Sequence, residues 1–217
     1  MHALIVVAHP DLRSLSHAVA SEVAAGLTAS GADHTFEIAD LAAEGFDPRF
    51  TMADRAVYHR TSQAPEDVVA EQTRIERADA LVLVYPVFWW SMPAVLKGWI
   101  DRVFSNGWAF EDGPGGAGLI KKLPHLPIHL MAVAGGDARM FARHGYSGAM
   151  RTQIEHGIFD YCGSPVLTSE LLMESETSDP LAHLATARAV GAALFAAPPD
   201  QAASRVWRPT PERSSAG

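Results

Sequence analysis

The chain has 217 residues, of which 48% are hydrophobic and 19% charged, as expected of one globular domain with its own core. Its formal net charge is −8 at pH 7 and its basic residues do not cluster, which argues against nucleic acid as a partner. The single cysteine excludes an intrachain disulfide, and no apolar run of about 18 residues is present to span a membrane. The start MHALIVVAHP lacks the basic residues of a signal peptide, so we expect a cytoplasmic protein.

The beginning of the chain predicts a buried strand followed by a helix. Ala3 to Ala8 is a continuous apolar run, which is typical of a strand buried on both faces of a parallel sheet. Ser14 or Ser16 can cap a helix that carries apolar residues at helical spacing and ends near Gly31. The segment HPDLRSLS therefore forms the loop between this strand and this helix.

The rest of the chain continues the alternation of strands and helices. Further strands are predicted at Thr35 to Ala39, Ala80 to Val84 with Pro86 ending it, Pro127 to Ala134, and Val166 to Leu172. Further helices are predicted at Asp67 to Arg77, Pro93 to Phe104, within Gly145 to Cys162, and at Pro180 to Ala197. A polar segment at about Leu41 to Pro65 is too long for an ordinary connection. We assign residues 1–197 to one domain and residues 198–217 to a loosely ordered tail.

Five strands that alternate with helices predict an α/β fold, a doubly wound five-stranded parallel sheet with helices on both faces. In such sheets, ligands bind beyond the carboxyl ends of the strands, at the point where the strand order reverses. The candidate site is therefore formed by the ends of the first, third and fourth strands. These ends are His9 to Ser16, Pro86 to Trp90, and Ala134 to Asp137.

Three large aromatic residues occupy the turn after the third strand. Phe88, Trp89 and Trp90 stand where small polar residues are the usual choice. Because they end a strand and lead into a helix, they predict a platform for a flat ligand. Burial in the core or in a dimer interface explains this loop equally well when it is considered alone.

The loops after the first and fourth strands favour a phosphate and a close backbone contact. His9, Ser14 and Ser16 stand at a helix N-terminus, where free N–H groups and the helix dipole favour an anion. An ordinary N-cap is the alternative. Gly135 and Gly136 permit a ligand to approach the backbone, and a turn that needs positive φ is the alternative there.

Three further patterns are rejected as sites. Gly113 to Gly118 matches G-x-G-x-x-G with Asp137 as a ribose-binding acid, but that fingerprint needs a preceding strand and a following helix. Among the ten histidines, even His125 and His129 have a proline between them and no carboxylate beside them, so no metal is predicted. Cys162 is predicted to be a small core residue, and no nucleophile-elbow motif supports a catalytic triad.

Two long segments resemble a known family. AHPDLRSLS at the first loop and YPVFWWSMPAVLKGWIDRVFSNGWAF at the third strand are similar to the flavodoxin-like NAD(P)H:quinone oxidoreductases of the DT-diaphorase type. AGG after the fourth strand and YCG before the fifth support the likeness, which covers roughly residues 1 to 175. The resemblance implies a flavodoxin-like flavin-binding domain that holds FAD, or alternatively FMN, in a homodimer with its sites at the subunit interface.

The resemblance also implies which residues form the site. The flavin would contact His9, Ser14, Leu15, Ser16, Pro86, Val87, Phe88, Trp89, Trp90, Gly135 and Gly136. The substrate pocket would contain Trp90, Trp108, Phe110 and Phe141. Of these, Trp108 and Phe110 are expected to cover the site of the neighbouring subunit.

Three positions depart from the family pattern. Ser16 replaces an asparagine, Phe88 replaces a frequent glutamine, and Phe141 replaces a tyrosine that assists flavin reduction in the animal enzymes. His144 and Tyr146 lie near the position of the assisting histidine. We therefore predict His144 and Tyr146 as the catalytic donors, with backbone N–H groups alone as the alternative.

The activity implied by the resemblance is the two-electron reduction of a quinone, or of a similar flat electrophile, by NAD(P)H. Hydride would pass through the bound flavin with ping-pong kinetics. The alternative is a flavin-bearing ancillary subunit that regulates a potassium-efflux transporter. We expect a homodimer that binds a small quinone-like molecule and that neither binds nucleic acid nor inserts into a membrane.

Overall fold

A five-stranded parallel sheet forms the centre of this computed structural model, which describes residues 1–113 and 118–196. The strands are β1 (His2–Val7), β2 (Thr35–Asp40), β3 (Ala80–Pro86), β6 (Ile128–Val133) and β7 (Val166–Leu172). Their order across the sheet is β2-β1-β3-β6-β7, so the order reverses between β1 and β3. This topology confirms the predicted doubly wound sheet and places its switch point where the sequence predicts the site.

Helices cover both faces of the sheet, as predicted. On one face, α1 (Leu15–Ser30) and α7 (Pro180–Ala193) bury the apolar side chains of one core cluster. On the other face, α3 (Glu66–Glu76), α4 (Ala94–Val103) and a π-helix (Arg151–Asp160) pack on the second, larger cluster. The chain thus buries each strand of the sheet centre between two layers of helices.

The first and last helices cross at very short range. A Cβ atom on Gly26 of α1 would lie 2.0 Å from the carbonyl oxygen of Arg188 in α7. In the same way, a Cβ atom on Gly191 would lie 2.0 Å from the carbonyl oxygen of Val23. Because both obstacles are backbone atoms, neither helix can move aside without separating from the other. The two glycines are therefore required for this contact.

Several elements differ from the sequence prediction. The polar segment contains a short helix, α2 (Met52–Tyr58), and the predicted loop after the fourth strand contains α5 (Ala138–His144). The single helix predicted within Gly145 to Cys162 is instead α6 (Tyr146–Met150) followed by the π-helix. Two strands that were not predicted, β4 (Phe110–Asp112) and β5 (Leu119–Lys121), form an antiparallel pair. The predicted tail, residues 198–217, lies outside the described residues.

Arg102 fastens the polar segment to α4. Its guanidinium donates from Nε to Asp54 Oδ1 at 3.0 Å, and from Nη1 to Asp67 Oδ2 at 2.6 Å and to the Asp47 carbonyl at 2.8 Å. Its side chain is only 4% exposed, and that of Asp54 only 2%. Burial opposes ionisation of Asp54, but hydrogen bonds from Thr51 and Arg102 outweigh it, so the pKa of this carboxyl lies below its ordinary value. A buried cation with three acceptors therefore ties three parts of the chain together.

Within residues 1–113 and 118–196, no helix is both long enough and apolar enough to cross a bilayer.

Candidate active site

The loop between β3 and α4 is a tight turn with two tryptophans at its centre. The N–H of Phe88 donates to the carbonyl of Ser91 at 3.0 Å, and the N–H of Ser91 donates back at 3.0 Å. Between them, Trp89 and Trp90 have φ values of 49° and 59°. Positive φ at both central residues is the mark of a type I′ turn, which favours asparagine and glycine. Bulky residues held in this region store strain of the kind that gathers at ligand sites.

The two tryptophans face different surroundings. Trp89 is 92% exposed, so packing within the chain does not explain it. The ring of Trp90 stacks on Tyr146, with ring centres 3.7 Å apart and planes 8° from parallel. Phe141 meets Trp90 edge-on at 5.7 Å, and His144 stacks on Tyr146, with ring centres 5.2 Å apart and planes 25° from parallel. Trp90, Phe141, His144 and Tyr146, which the sequence predicts at one site, are thus brought together.

The glycine pair after β6 lies at the same edge of the sheet. Neither Gly135 nor Gly136 has a positive φ, so the alternative of a left-handed turn is wrong. A Cβ atom on Gly136 would lie 2.0 Å from the end of the Met140 side chain, whereas one on Gly135 would meet only the Glu176 carboxyl group, 3.7 Å away. A side chain at Gly136 would therefore displace the flexible end of Met140, whereas packing within the chain leaves Gly135 unconstrained.

Backbone donors from two loops converge at this edge. The N–H groups of Trp89, Trp90, Gly135 and Gly136 make no hydrogen bond to another described residue. Val87, just before the turn, donates to the carbonyl of Val133 at 2.8 Å, which joins the β3–α4 loop to the end of β6. Free N–H groups that are fixed in place by strand pairing can stabilise negative charge on a bound group.

The loop between β1 and α1 supplies a third set of donors. Ser14 is the N-cap of α1, and its hydroxyl oxygen accepts from the N–H of His17. Leu15 and Ser16 begin the helix, and their N–H groups have no acceptor among the described residues. The Ser16 side chain is buried, while His9 turns its Nδ1 to the N–H of Asp11 at 3.0 Å. The first turn of α1 itself holds no acidic residue, which suits the binding of an anion there.

The structure adds two residues to this part of the site that were not predicted from the sequence, His17 in α1 and Asp40 at the end of β2. His17 Nδ1 lies 2.8 Å from Ser14 Oγ, and His17 Nε2 lies 2.8 Å from Asp40 Oδ2. Burial opposes ionisation of Asp40, but hydrogen bonds from His17 and from backbone N–H groups outweigh it and lower the pKa of this carboxyl. The three side chains form a hydrogen-bonded chain because β2, which ends at Asp40, lies next to β1.

Trp108 and Phe110 are not brought to Trp90 within one chain. The indole N–H of Trp108 donates to Glu76 at 2.7 Å, and Phe110 packs on Tyr161 with ring centres 5.2 Å apart. Phe110 and Tyr161 line a cavity of about 370 Å³ that lies between α4 and the π-helix. A role for Trp108 and Phe110 at a site therefore requires a second copy of the chain, as the sequence analysis expects.

Where the structure describes them, the patterns that were rejected as sites lie in surroundings that do not form a ligand site. Gly113 and Gly118 lie between β4 and β5, not between a strand and a helix, and residues 114–117 are outside the described part. Asp137 caps α5 by accepting from the N–H of Met140. Cys162 is buried, and burial raises the pKa of its thiol to about 11, so the side chain is an inert core thiol at neutral pH. In the described ranges, no three side chains are grouped to hold a metal ion.

The fold and this three-loop site define a class of protein. A family described as having the flavodoxin-like fold matches residues 1–193, and the chain belongs to this family. Among its relatives is a ribosyldihydronicotinamide dehydrogenase [quinone] of Pongo abelii, 32% identical over 195 residues, which are 80% of this chain and 81% of the relative.

Solved structures agree with the family. An NAD(P)H:quinone oxidoreductase from Methanothermobacter marburgensis aligns with a TM-score of 0.82 at 30% identity, over 89% of this chain and 98% of that one. An FMN-dependent NADH-azoreductase from Bacillus anthracis, solved in complex with FMN, shares the fold with a TM-score of 0.65 at 18% identity, over 89% of this chain and 96% of that one. The predicted membership among flavodoxin-like NAD(P)H:quinone oxidoreductases, and with it the prediction of an enzyme, is confirmed.

Proposed function

We propose that this chain is a flavin-dependent reductase that transfers two electrons from NAD(P)H to a quinone or a similar flat electrophile. The observation that carries the proposal is the strained turn at Trp89 and Trp90, held beside the free N–H groups of Gly135 and Gly136. An exposed tryptophan in a disfavoured conformation has no function in the fold of one chain. A flat ring that stacks on this turn, with donors along its edge, accounts for it.

The residues present fit a flavin. Leu15 and Ser16 offer free N–H groups at a helix N-terminus for a phosphate, with the Ser14 hydroxyl beside them. The turn at Trp89 and Trp90 and the pair Gly135 and Gly136 would hold the ring. We propose FAD as the cofactor, with FMN as the alternative. When bound, a flavin accepts hydride from a reduced nicotinamide and passes two electrons to an acceptor.

The protein supplies orientation and electrostatics to this chemistry. Trp90, which is half-buried, offers an apolar surface beside which a nicotinamide, and after it a quinone, could be placed in turn. Phe141, predicted to line this pocket, is instead fully buried behind Trp90, so it supports the tryptophan rather than contacting a substrate. One place that serves both substrates predicts ping-pong kinetics. The N–H groups of Trp89, Gly135 and Gly136 would stabilise the negative charge that develops at the edge of the ring, as oxyanion-hole donors do.

The first test is the absorbance spectrum of the purified protein. We expect a yellow protein with about one flavin per chain, and mass spectrometry of the released cofactor distinguishes FAD from FMN. Steady-state oxidation of NADH and NADPH with simple quinones then tests the reaction, and parallel double-reciprocal lines are expected for ping-pong kinetics. An apoprotein that quenches the fluorescence of neither FAD nor FMN would refute the proposed function.

His144 and Tyr146 are proposed as the side chains that assist the reaction, because Tyr146 stacks on Trp90 and His144 stacks on Tyr146. Changing Tyr146 to Phe keeps the stacked ring and removes only the hydroxyl. We expect His144→Ala or Tyr146→Phe to slow reduction by NAD(P)H roughly tenfold or more in stopped-flow experiments, with flavin affinity little changed. His125→Ala, in an exposed loop, is the control. Wild-type rates in both variants would show that backbone donors suffice.

We also propose a homodimer that forms through an exposed apolar surface. Phe50, Tyr58 and Tyr161 are each between 42% and 54% exposed, and all three line the cavity that contains Phe110. Aromatic residues of this kind are enriched at interfaces. Phe50→Asp is expected to raise the dimer dissociation constant about thirtyfold or more in sedimentation equilibrium. Leu181→Asp, an exposed change on α7, is expected to leave it unchanged. A wild-type monomer at assay concentration would contradict this proposal without affecting the flavin proposal.

A further inference from the structure

We propose that His17 is a positioning residue that couples the binding of a flavin phosphate to the uptake of one proton. In its doubly protonated form, the imidazole would turn the Ser14 hydroxyl hydrogen toward the phosphate, and in its neutral form it would hold that hydrogen away. This inference rests on the proposed flavin site and adds a proton linkage to it.

Asp40 determines which ring nitrogen of His17 carries the first proton. Its carboxylate can only accept, so His17 Nε2, 2.8 Å away, must be the donor in that contact. Asp40 itself is fixed by accepting from the N–H groups of Ala42 and Ala43, each at 3.1 Å. In the neutral imidazole, Nδ1 is therefore an acceptor. The Ser14 hydroxyl, 2.8 Å from Nδ1, then donates to the ring.

When His17 gains a second proton, the direction of its hydrogen bond with Ser14 is reversed. Nδ1–H becomes the donor and Ser14 Oγ accepts, which leaves the Ser14 hydroxyl hydrogen free to point outward. The same proton adds a positive charge within one turn of the helix N-terminus, next to the free N–H groups of Leu15 and Ser16. Both effects favour an anion. By linkage, a bound phosphate must favour the second proton to the same extent.

Other charged groups face His17, and one of them is a competitor for the proton. The ring of His9 meets that of His17 edge-on, with centres 6.3 Å apart. His9 Nδ1 lies 3.0 Å from the N–H and 3.2 Å from the carbonyl oxygen of Asp11, so this ring too can change from acceptor to donor in place. Asp11 is paired with Arg13 at 3.7 Å in the same loop, and Asp40 faces His17 from β2. The experiment must therefore separate His17 from His9.

Proton uptake can be measured directly. Apoprotein is titrated with FAD and with riboflavin, which lacks the phosphate, by calorimetry in two buffers of different ionisation enthalpy between about pH 6 and pH 8, where histidine titrates. FAD is the suitable probe because its phosphodiester groups keep a constant charge in this range. We expect FAD to take up as much as one proton and its Kd to rise up to about tenfold per pH unit, while riboflavin shows neither effect.

Three variants show which residue takes up the proton. In His17→Gln, the amide nitrogen can donate to Asp40 and the amide oxygen can accept from Ser14, so the variant mimics the neutral ring. Its Kd for FAD should be independent of pH and equal to the wild-type value at high pH. Ser14→Ala should weaken FAD binding about tenfold at pH 6 and little at pH 8, because a hydrogen bond to a charged group is lost only at low pH. His9→Gln should retain proton uptake.

The results that would overturn only this inference differ from those that would also overturn the proposed function. Proton uptake that persists in His17→Gln and disappears in His9→Gln would overturn the inference, as would FAD binding without any proton uptake. Either result would leave the proposed flavin function intact. Failure of both FAD and riboflavin to bind would overturn the proposed function and this inference together.

Discussion

Replacing Arg102 with alanine is expected to lower the free energy of unfolding by about 3–5 kcal/mol. The guanidinium is almost fully buried, and its removal leaves the Asp54 carboxylate in the interior without its partner. The variant also frees the Asp47 carbonyl and so loosens the polar segment from α4. Urea denaturation of the wild type and the variant measures the difference.

An ion pair on the same helix provides the control. Lys97 and Asp101 are 2.6 Å apart on α4, one turn from Arg102, but their side chains are each 43% exposed. Exposed pairs of this spacing contribute about 0.3–0.5 kcal/mol, so Lys97→Ala should have a small effect. A loss in Arg102→Ala no larger than that in Lys97→Ala would show that the buried cluster does not hold the segment.

The second large expected effect is a loss of stability at acidic pH. His129 lies buried in β6, where Nδ1 contacts Thr168 Oγ1 at 2.9 Å and Nε2 has no hydrogen-bond partner within residues 1–113 and 118–196. Burial lowers the pKa of His129 from 6.5 to about 4. Between these values, the unfolded chain binds a proton that the folded chain does not, so stability is full above about pH 6.5 and is lost progressively on acidification to about pH 4. The total loss of unfolding free energy caused by His129 is about 3 kcal/mol.

The test compares slopes of stability against pH. His129→Gln keeps an amide near Thr168 and does not titrate, so its unfolding free energy should change less between pH 7 and pH 4 than that of the wild type, by about 3 kcal/mol. His125→Gln, at an exposed loop position, should retain the wild-type slope. Equal slopes in all three proteins would mean that His129 gains its proton in the folded state without penalty.

The sheet could be predicted because its strands have recognisable local sequence patterns. Ala3 to Ala8 is a continuous apolar run and Ala80 to Val84 is an apolar run rich in β-branched residues, and the strands found there are His2–Val7 and Ala80–Pro86. The turn at Trp89 and Trp90 could be predicted from its place between a strand and a helix, and its abnormal composition indicated a site. The strain that the two residues share is a property of φ, and composition gives no measure of φ.

The missed elements have signals that are either weak or non-local. Helix α2 begins with a capping box at Thr51 and Asp54 but lacks a long apolar periodicity. Helix α5 has its N-cap in Asp137, a residue considered only as a ribose ligand. The contact of His17 with Asp40 could not be predicted, because it depends on β2 lying beside β1 and on the register of that pairing. Local patterns carry no information about either.

The close crossing of α1 and α7 has a consequence for how the chain is made. Ribosomes deliver the N-terminus first, so α1 emerges long before the helix that carries Arg188 and Gly191. Until α7 arrives, the apolar face of α1 beside Gly26 has no helix to cover it. For most of synthesis the chain therefore carries an apolar helix face without its cover, and this contact forms only once the last described helix has emerged.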